Sequence, residues 1–209
     1  QGFVQIPITF GGNVAVVGAS GSGKTTLFST MIYSMIINHK CEEVHIYILD
    51  FGAERLKKFA NAPQVGEVLR ISDVNKMELF FYMLEAEQTK RQKYFSENNT
   101  DFLSCAKNGE SPFPNLIVFL YDLDVFKEVY EDVYDDHFVQ FTRNCAKYGI
   151  YFVITELSSS TLGLTADNNF PQKVVLNMVD DADYYMFFNE PPIPSKNPGR
   201  GLVQIDETY

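Results

Sequence analysis

The stretch Gly18-Ala19-Ser20-Gly21-Ser22-Gly23-Lys24-Thr25 decides how this chain is read. It follows an apolar run, Val14-Ala15-Val16-Val17, and precedes a helical pattern from Leu27 to Ile37. Two glycines bracket four residues and are followed by Lys and Thr, the spacing of a phosphate-binding loop. A strand that turns sharply into a helix aims successive backbone N–H groups, and the positive end of the helix, at one anion. Glycines permit that wrap because they tolerate positive φ and bring no Cβ near the phosphate. In such a loop the lysine reaches the β- and γ-phosphates and the threonine hydroxyl ligates Mg2+. Gly18, Ala19, Ser20, Gly21, Ser22, Gly23, Lys24, Thr25 and Thr26 are therefore the expected nucleotide-binding residues, with Thr25 also on the metal.

The remainder of the chain fits one α/β domain. Its 209 residues suffice for a full-sized core, and 45% hydrophobic with 14% aromatic residues is a globular composition. Short, nearly continuous apolar segments recur at Val14–Val17, Val44–Leu49, Leu116–Tyr121, Ile150–Thr155 and Lys173–Met178, as expected of parallel strands covered on both faces. Between them lie helical patterns at Thr26–Asn38, Asn75–Phe95 and Val125–Tyr148. In the second of these, Met77, Phe80, Phe81, Leu84 and Tyr94 form the apolar face, with Glu85, Glu87, Lys90 and Arg91 opposite. A Pro/Gly-rich excursion from Pro191 to Gly201 precedes a last strand, Leu202–Ile205. Alternating strands and helices predict a mainly parallel sheet with right-handed crossovers, a three-layer fold.

A phosphate loop needs a second acidic strand end. Leu116-Ile117-Val118-Phe119-Leu120-Tyr121-Asp122 supplies one, and ligands of doubly wound sheets sit beyond the carboxyl ends of the strands. Asp122 is thus expected near Mg2+, the plainer alternative being a cap on the next helix. Active ATPases of this class usually follow that aspartate with a water-polarising glutamate. Here Leu123 follows, which does no acid–base chemistry. Asp124 and Glu156 are only weak catalytic candidates, with Asp50 a further one. At the end of the next apolar strand, Thr155 or Glu156 either senses the γ-phosphate, or Thr155 closes the strand and caps the Ser158–Ser160 turn.

These features together resemble the FtsK/SpoIIIE family of P-loop ATPases, and within it the EssC/EccC coupling ATPases of type VII secretion. Beyond Gly18–Thr25, the resemblance rests on several segments in register: Ile46-Tyr47-Ile48-Leu49-Asp50-Phe51-Gly52 with Ala62-Pro63-Gln64-Val65-Gly66, Lys90-Arg91-Gln92-Lys93-Tyr94-Phe95, Tyr148–Thr155, and Pro198-Gly199-Arg200-Gly201. It implies a RecA/FtsK-like P-loop NTPase fold, ATP as the nucleotide, and a lean to the second of three tandem ATPase modules. The departures are Leu123 for the family's glutamate, Glu156-Leu157 for its Gln-Arg, and Ala146 where motor members carry an arginine facing a neighbouring subunit. A phosphate loop that is intact beside altered catalytic positions implies a module that holds ATP and hydrolyses it slowly. The resemblance further implies neighbouring ATPase modules and secreted WXG100/LXG-type proteins as partners, and a cytoplasmic placement in a membrane-anchored bacterial protein. The chain opens at Gln1 rather than Met, consistent with a single domain, residues 1–209, excised from a longer protein.

The competing readings are a DNA translocase and a fully active ATPase. A net charge of −10 and the acidic stretch from Asp122 to Asp136 are unlike a nucleic-acid footprint, so no nucleic acid is expected. Tyr130, Tyr134, Tyr184 and Tyr185 are candidates for an exposed aromatic patch, against the plainer reading of partial core. Cys41, Cys105 and Cys145 have no paired spacing and are expected as buried, reduced thiols. Thr26 stands where a dinucleotide fingerprint needs its third glycine, and His39, His45 and His137 are too scattered for a metal cluster.

Overall fold

The fold was obtained as a computed structural model, which describes residues 5–52, 54–131, 137–158 and 160–203. A seven-stranded sheet forms its centre: β1 (Val14–Val17), β2 (Val44–Asp50), β3 (Val65–Arg70), β4 (Asn115–Tyr121), β5 (Ile150–Glu156), β6 (Gln172–Leu176) and β7 (Gly201–Val203), in the order β3-β2-β4-β5-β1-β6-β7. All neighbours run parallel except β6 and β7. The register aligns the carboxyl ends. Val17 sits beside Glu156, Leu120 beside Ile154 and Asp50 beside Tyr121, so Asp50, Tyr121 and Glu156, the polar residues that close three of these strands, share one edge with the end of β1.

The helices α1 (Ile8–Gly11), α2 (Lys24–Asn38), α3 (Val74–Glu97), α4 (Phe102–Lys107), α5 (Leu123–Val129), α6 (Val139–Asn144) and α7 (Gly163–Asp167) complete the described residues, with short 3-10 turns. Strand residues alternate between the faces. Ala15, Leu120, Phe152 and Ile154 pack with Phe81 of α3, Phe126 of α5 and Phe141 of α6. Val16, Phe119 and Val153 pack with Phe28 and Ile32 of α2 and Phe102 of α4. Apolar layers on both faces explain why β1, β4 and β5 read as unbroken hydrophobic runs. No helix among the described residues is long and apolar enough to cross a membrane.

Several expectations need correction. β3 escaped the sequence reading because it is an edge strand, where exposed Gly66 and Glu67 interrupt the apolar signal. The helix expected over Val125–Tyr148 is not continuous. α5 starts at Leu123 and stops at Val129, α6 covers Val139–Asn144, and a 3-10 turn follows over Cys145–Tyr148. Tyr130 ends α5 by turning inward. Its ring lies against Phe51 and Phe126, and its hydroxyl donates to the Ile71 carbonyl at 2.7 Å. Tyr184 is likewise buried and donates to the Leu176 carbonyl, so of the proposed aromatic patch Tyr185 is exposed and Tyr134 lies outside the described residues.

Arg91 belongs to the buried face of α3 rather than the polar one. It is 1% exposed, pairs with Glu87 at 2.9 Å, and donates to the carbonyls of Tyr148 and Gly149. Cys145 is buried, its thiol pushed up to about 12 by desolvation, whereas Cys41 and Cys105 are half-buried. The last strand begins at Gly201, and the expected Gln204 and Ile205 lie outside the described residues.

Candidate nucleotide site

The loop between β1 and α2 wraps over the carboxyl edge of the sheet and is held from three sides. Gly18 N–H donates to the Glu156 carbonyl of β5 at 3.2 Å, and Ala19 N–H to the Asn177 carbonyl beyond β6 at 2.8 Å. On the outer side Gly199 N–H donates to the Ser22 carbonyl at 2.8 Å. Gly23 precedes α2 with φ 110°, and a Cβ there would lie 3.0 Å from the Gly199 nitrogen. Glycine is required here on both counts, conformation and space. The Pro198–Gly201 segment thus acts as a strap across the loop, which explains its place in the sequence pattern. α2 starts at Lys24, two residues earlier than the apolar periodicity indicates, so its first-turn amides face the loop.

A cavity of about 260 Å3 opens at this edge, lined by the loop and by Arg55, Tyr121, Asp122, Asp124, Thr155, Glu156 and Leu157. Lys24 donates to the carbonyls of Gly18 at 2.5 Å and Ala19 at 3.0 Å. Its ammonium is held below the usual lysine range, chiefly by burial, with the charges of Asp122 and Asp124 opposing. The Thr25 hydroxyl lies 2.7 Å from the Tyr121 hydroxyl. Asp122 takes a left-handed conformation, φ 74° and ψ 72°, uncommon for a non-glycine residue. Its carboxylate accepts from Val125 N–H at 3.3 Å, capping α5, and its own N–H donates to the Thr155 hydroxyl at 2.8 Å. Asp122 therefore caps α5 and also lines the cavity. Thr155 ties the neighbouring strand ends together instead of capping the turn after it. Burial raises the Asp122 carboxyl above the ordinary carboxylate range.

The weak catalytic candidates are engaged elsewhere. Asp124 accepts from Leu157 N–H at 3.0 Å and from the Thr161 hydroxyl at 2.5 Å, pinning the loop after β5. Glu156 is 1% exposed, and one of its oxygens accepts from Leu162 N–H while the other is buried without a partner. Burial pushes its carboxyl up to about 7. Asp50 accepts from Leu56 N–H at 2.9 Å and shapes the turn after β2. Leu123 is fully buried with Leu120, Phe126 and Leu162, facing away from the cavity it adjoins in sequence.

Two lining residues were missed by the sequence reading. Tyr121 was legible only as a strand residue, although its position directly before Asp122 was the available signal. Arg55 comes from the turn after β2, where no motif marks it.

The donor set fits an anion with a divalent cation. Backbone amides, Lys24 and Arg55 supply positive character. The Ser22 hydroxyl, outside the cavity lining, is buried without a protein partner and occupies the space a Cβ at Gly18 would fill. Among the described residues no group of three His, Cys, Asp or Glu side chains could hold a metal unaided, so a cation here would share its ligands with phosphate oxygens.

The model of the FtsK/SpoIIIE family matches residues 3–180. The ESX secretion system protein YukB of Bacillus subtilis (strain 168) is 26% identical over 211 aligned residues, covering 98% of this chain and 14% of that relative. A solved structure of EssC (ATPases 2 and 3) from Geobacillus thermodenitrificans superposes with a TM-score of 0.81 at 28% identity, covering 95% of this chain and 38% of that one. Thermomonospora curvata EccC (ATPases 2 and 3), solved in complex with a signal sequence peptide, gives 0.81 at 25% identity, covering 95% and 37%. The chain therefore spans about one seventh of the curated relative's length, as the 14% coverage gives.

Proposed function

This chain belongs to the FtsK/SpoIIIE family, and from that premise we propose that residues 1–209 form one ATP-binding module of a longer type VII secretion ATPase. ATP with Mg2+ would be held by the amides of Ser20, Gly21 and Gly23, which line the cavity, by Lys24 on the β- and γ-phosphates, by Thr25 and Asp122 on the cation side, and by Thr26 at the helix start, while Gly18, Ala19 and Ser22 fix the loop through their own backbone bonds. Arg55, which the sequence reading did not single out, adds a second positive side chain to the cavity. The cation's contribution is to neutralise phosphate charge.

Hydrolysis is expected to be slow. The observation that carries this reading is the combination at one edge of the sheet: the phosphate-binding groups surround the cavity, while each nearby carboxylate already has another task. Asp122 caps α5, Asp124 and Glu156 bond backbone amides of the 157–162 turn, and position 123 is apolar and buried. A general base must reach the proton it abstracts; the Glu156 oxygen that has no protein partner is buried in a side chain only 1% exposed, so it is shielded from a water in the cavity. Nucleotide occupancy would then act through binding. The strap from Pro198 to Gly201 joins the loop to β7, so a bound triphosphate is felt at the C-terminal edge of the sheet, where a neighbouring module of the parent chain would pack.

The secreted partners implied by the family, helical proteins of the WXG100/LXG type, and the membrane anchorage of the parent protein belong to this same proposal. It is supported by the secretion proteins named above as relatives. A steady-state ATPase assay on the chain tests it. Turnover far below about 1 per second, the low end of ordinary enzymes, supports a nucleotide-holding module, and turnover at or above that rate overturns it.

A further inference from the structure

We propose that Tyr121 is a positioning residue of the cation site, its phenol oxygen holding the Thr25 hydroxyl in the orientation that presents a lone pair to Mg2+. The inference rests on the nucleotide reading above. A threonine hydroxyl has one proton and two lone pairs. To ligate a cation it must turn a lone pair outward, so its proton needs an acceptor on the protein side. The acidic residue that follows the neighbouring strand is the obvious acceptor, but Asp122 is engaged as the cap of α5. Its left-handed backbone carries the carboxylate to Val125 N–H, and it makes no hydrogen bond to Thr25. Within reach is the Tyr121 hydroxyl, at 2.7 Å, a pair in which either oxygen can donate, and the proposal gives the proton to Thr25.

The placement of the ring is built into the fold. Tyr121 is the last residue of β4, and its carbonyl accepts from Phe51 N–H at 3.2 Å, fixing the strand end beside β2. One side of the ring meets Phe28 of α2 edge-on, with centroids 5.8 Å apart. The other side lies over Gly52, where a Cβ would overlap the ring, with Cδ1 2.7 Å away. Glycine at 52 is thus the clearance that lets the phenol reach Thr25. Three elements, the first turn of α2, the end of β4 and the turn after β2, converge on this one hydroxyl pair.

The test is the affinity of the 209-residue chain for ATP, measured by calorimetry in Mg2+ and again in EDTA. Removing only the hydroxyl, Tyr121→Phe, is expected to weaken ATP binding in Mg2+ by about fivefold, the scale of one hydrogen bond, and to change it by less than about twofold in EDTA. Gly52→Ala, which displaces the ring without touching the hydroxyl, is expected to do the same. Thr25→Ala should abolish the benefit of Mg2+, and Tyr121→Phe added to it should cost nothing further. The inference is overturned if Tyr121→Phe binds as well as the parent in Mg2+ or better, if it loses equally in EDTA, or if the two losses add. A parent chain that binds ATP in neither buffer refutes the nucleotide reading as well. A parent that binds beside an unchanged Tyr121→Phe refutes the tyrosine's role alone.

Discussion

Replacing Leu123 by Glu puts back the residue type that active ATPases of this class carry after the strand-end aspartate, and the structure predicts that it harms the protein without restoring chemistry. The Leu123 side chain is 0% exposed and packs with Leu120, Phe126 and Leu162. Losing its apolar burial costs about 1.5–3 kcal/mol. Burial would raise the new carboxyl's pKa by roughly three units, and at pH 8, above the raised value, this costs the folded state about 4 kcal/mol. A total of about 5–7 kcal/mol approaches the whole stability of an ordinary domain. Because the folded-state pKa is raised, the penalty grows as pH rises from the unfolded value towards the folded one, so the variant should be less impaired at pH 5 than at pH 8. Urea denaturation at both pH values measures this, with Leu123→Met as a volume-conserving control expected within about 1.5 kcal/mol of the parent. ATP turnover of the surviving folded fraction should not rise. A variant within about 1 kcal/mol of the parent, or one that hydrolyses ATP faster, would show that position 123 faces the cavity and that this account of the site is wrong.

Further outcomes follow from the same geometry. Glu156, raised to about 7 from 4.5 by burial, lowers stability as pH climbs between those values, by at most about 3 kcal/mol, and the loss is complete above the folded pKa. Glu156→Gln should flatten that slope in thermal melts and gain most at pH 8, and an unchanged slope would assign it to another group. Lys24→Ala should remove the rise in melting temperature given by Mg-ATP, and a preserved rise would mean that the loop holds no phosphate. Asp124→Ala should cost about 1–2 kcal/mol by releasing Leu157 N–H and the Thr161 hydroxyl, while leaving any residual ATP turnover intact. A collapse of turnover would make Asp124 the water-activating group. Duplex DNA should show no gel shift at about 150 mM salt, and salt-sensitive binding there would favour a DNA motor.

The centre of the fold was legible because β1, β4 and β5 are covered on both faces and spell that out as unbroken apolar runs. The phosphate loop was legible because its glycines answer a backbone demand that few other residues meet. What escaped depends on partners distant in sequence. β3 is half-exposed and its pattern is broken by Gly66 and Glu67. The stop after Val129 comes from Tyr130 finding the Ile71 carbonyl, 59 residues away, and no local breaker marks it. Arg91 reads as a surface charge until the carbonyls of Tyr148 and Gly149 are brought beneath it. Within the site the residues on the loop could be read from spacing, but the tasks of Asp124 and Glu156 could not, because both are fixed by the turn after β5. Tyr121 and Arg55 reach the cavity only through the alignment of strand ends.

Titration of the chain with Mg-ATP in a calorimeter, with the nucleotide recovered afterwards and analysed, tests the central claim most directly. The account predicts saturable binding to one site per chain, with the recovered nucleotide still largely triphosphate after the minutes of the experiment. The absence of heat from a folded sample, or recovery of diphosphate at the rate of an ordinary ATPase, would contradict it.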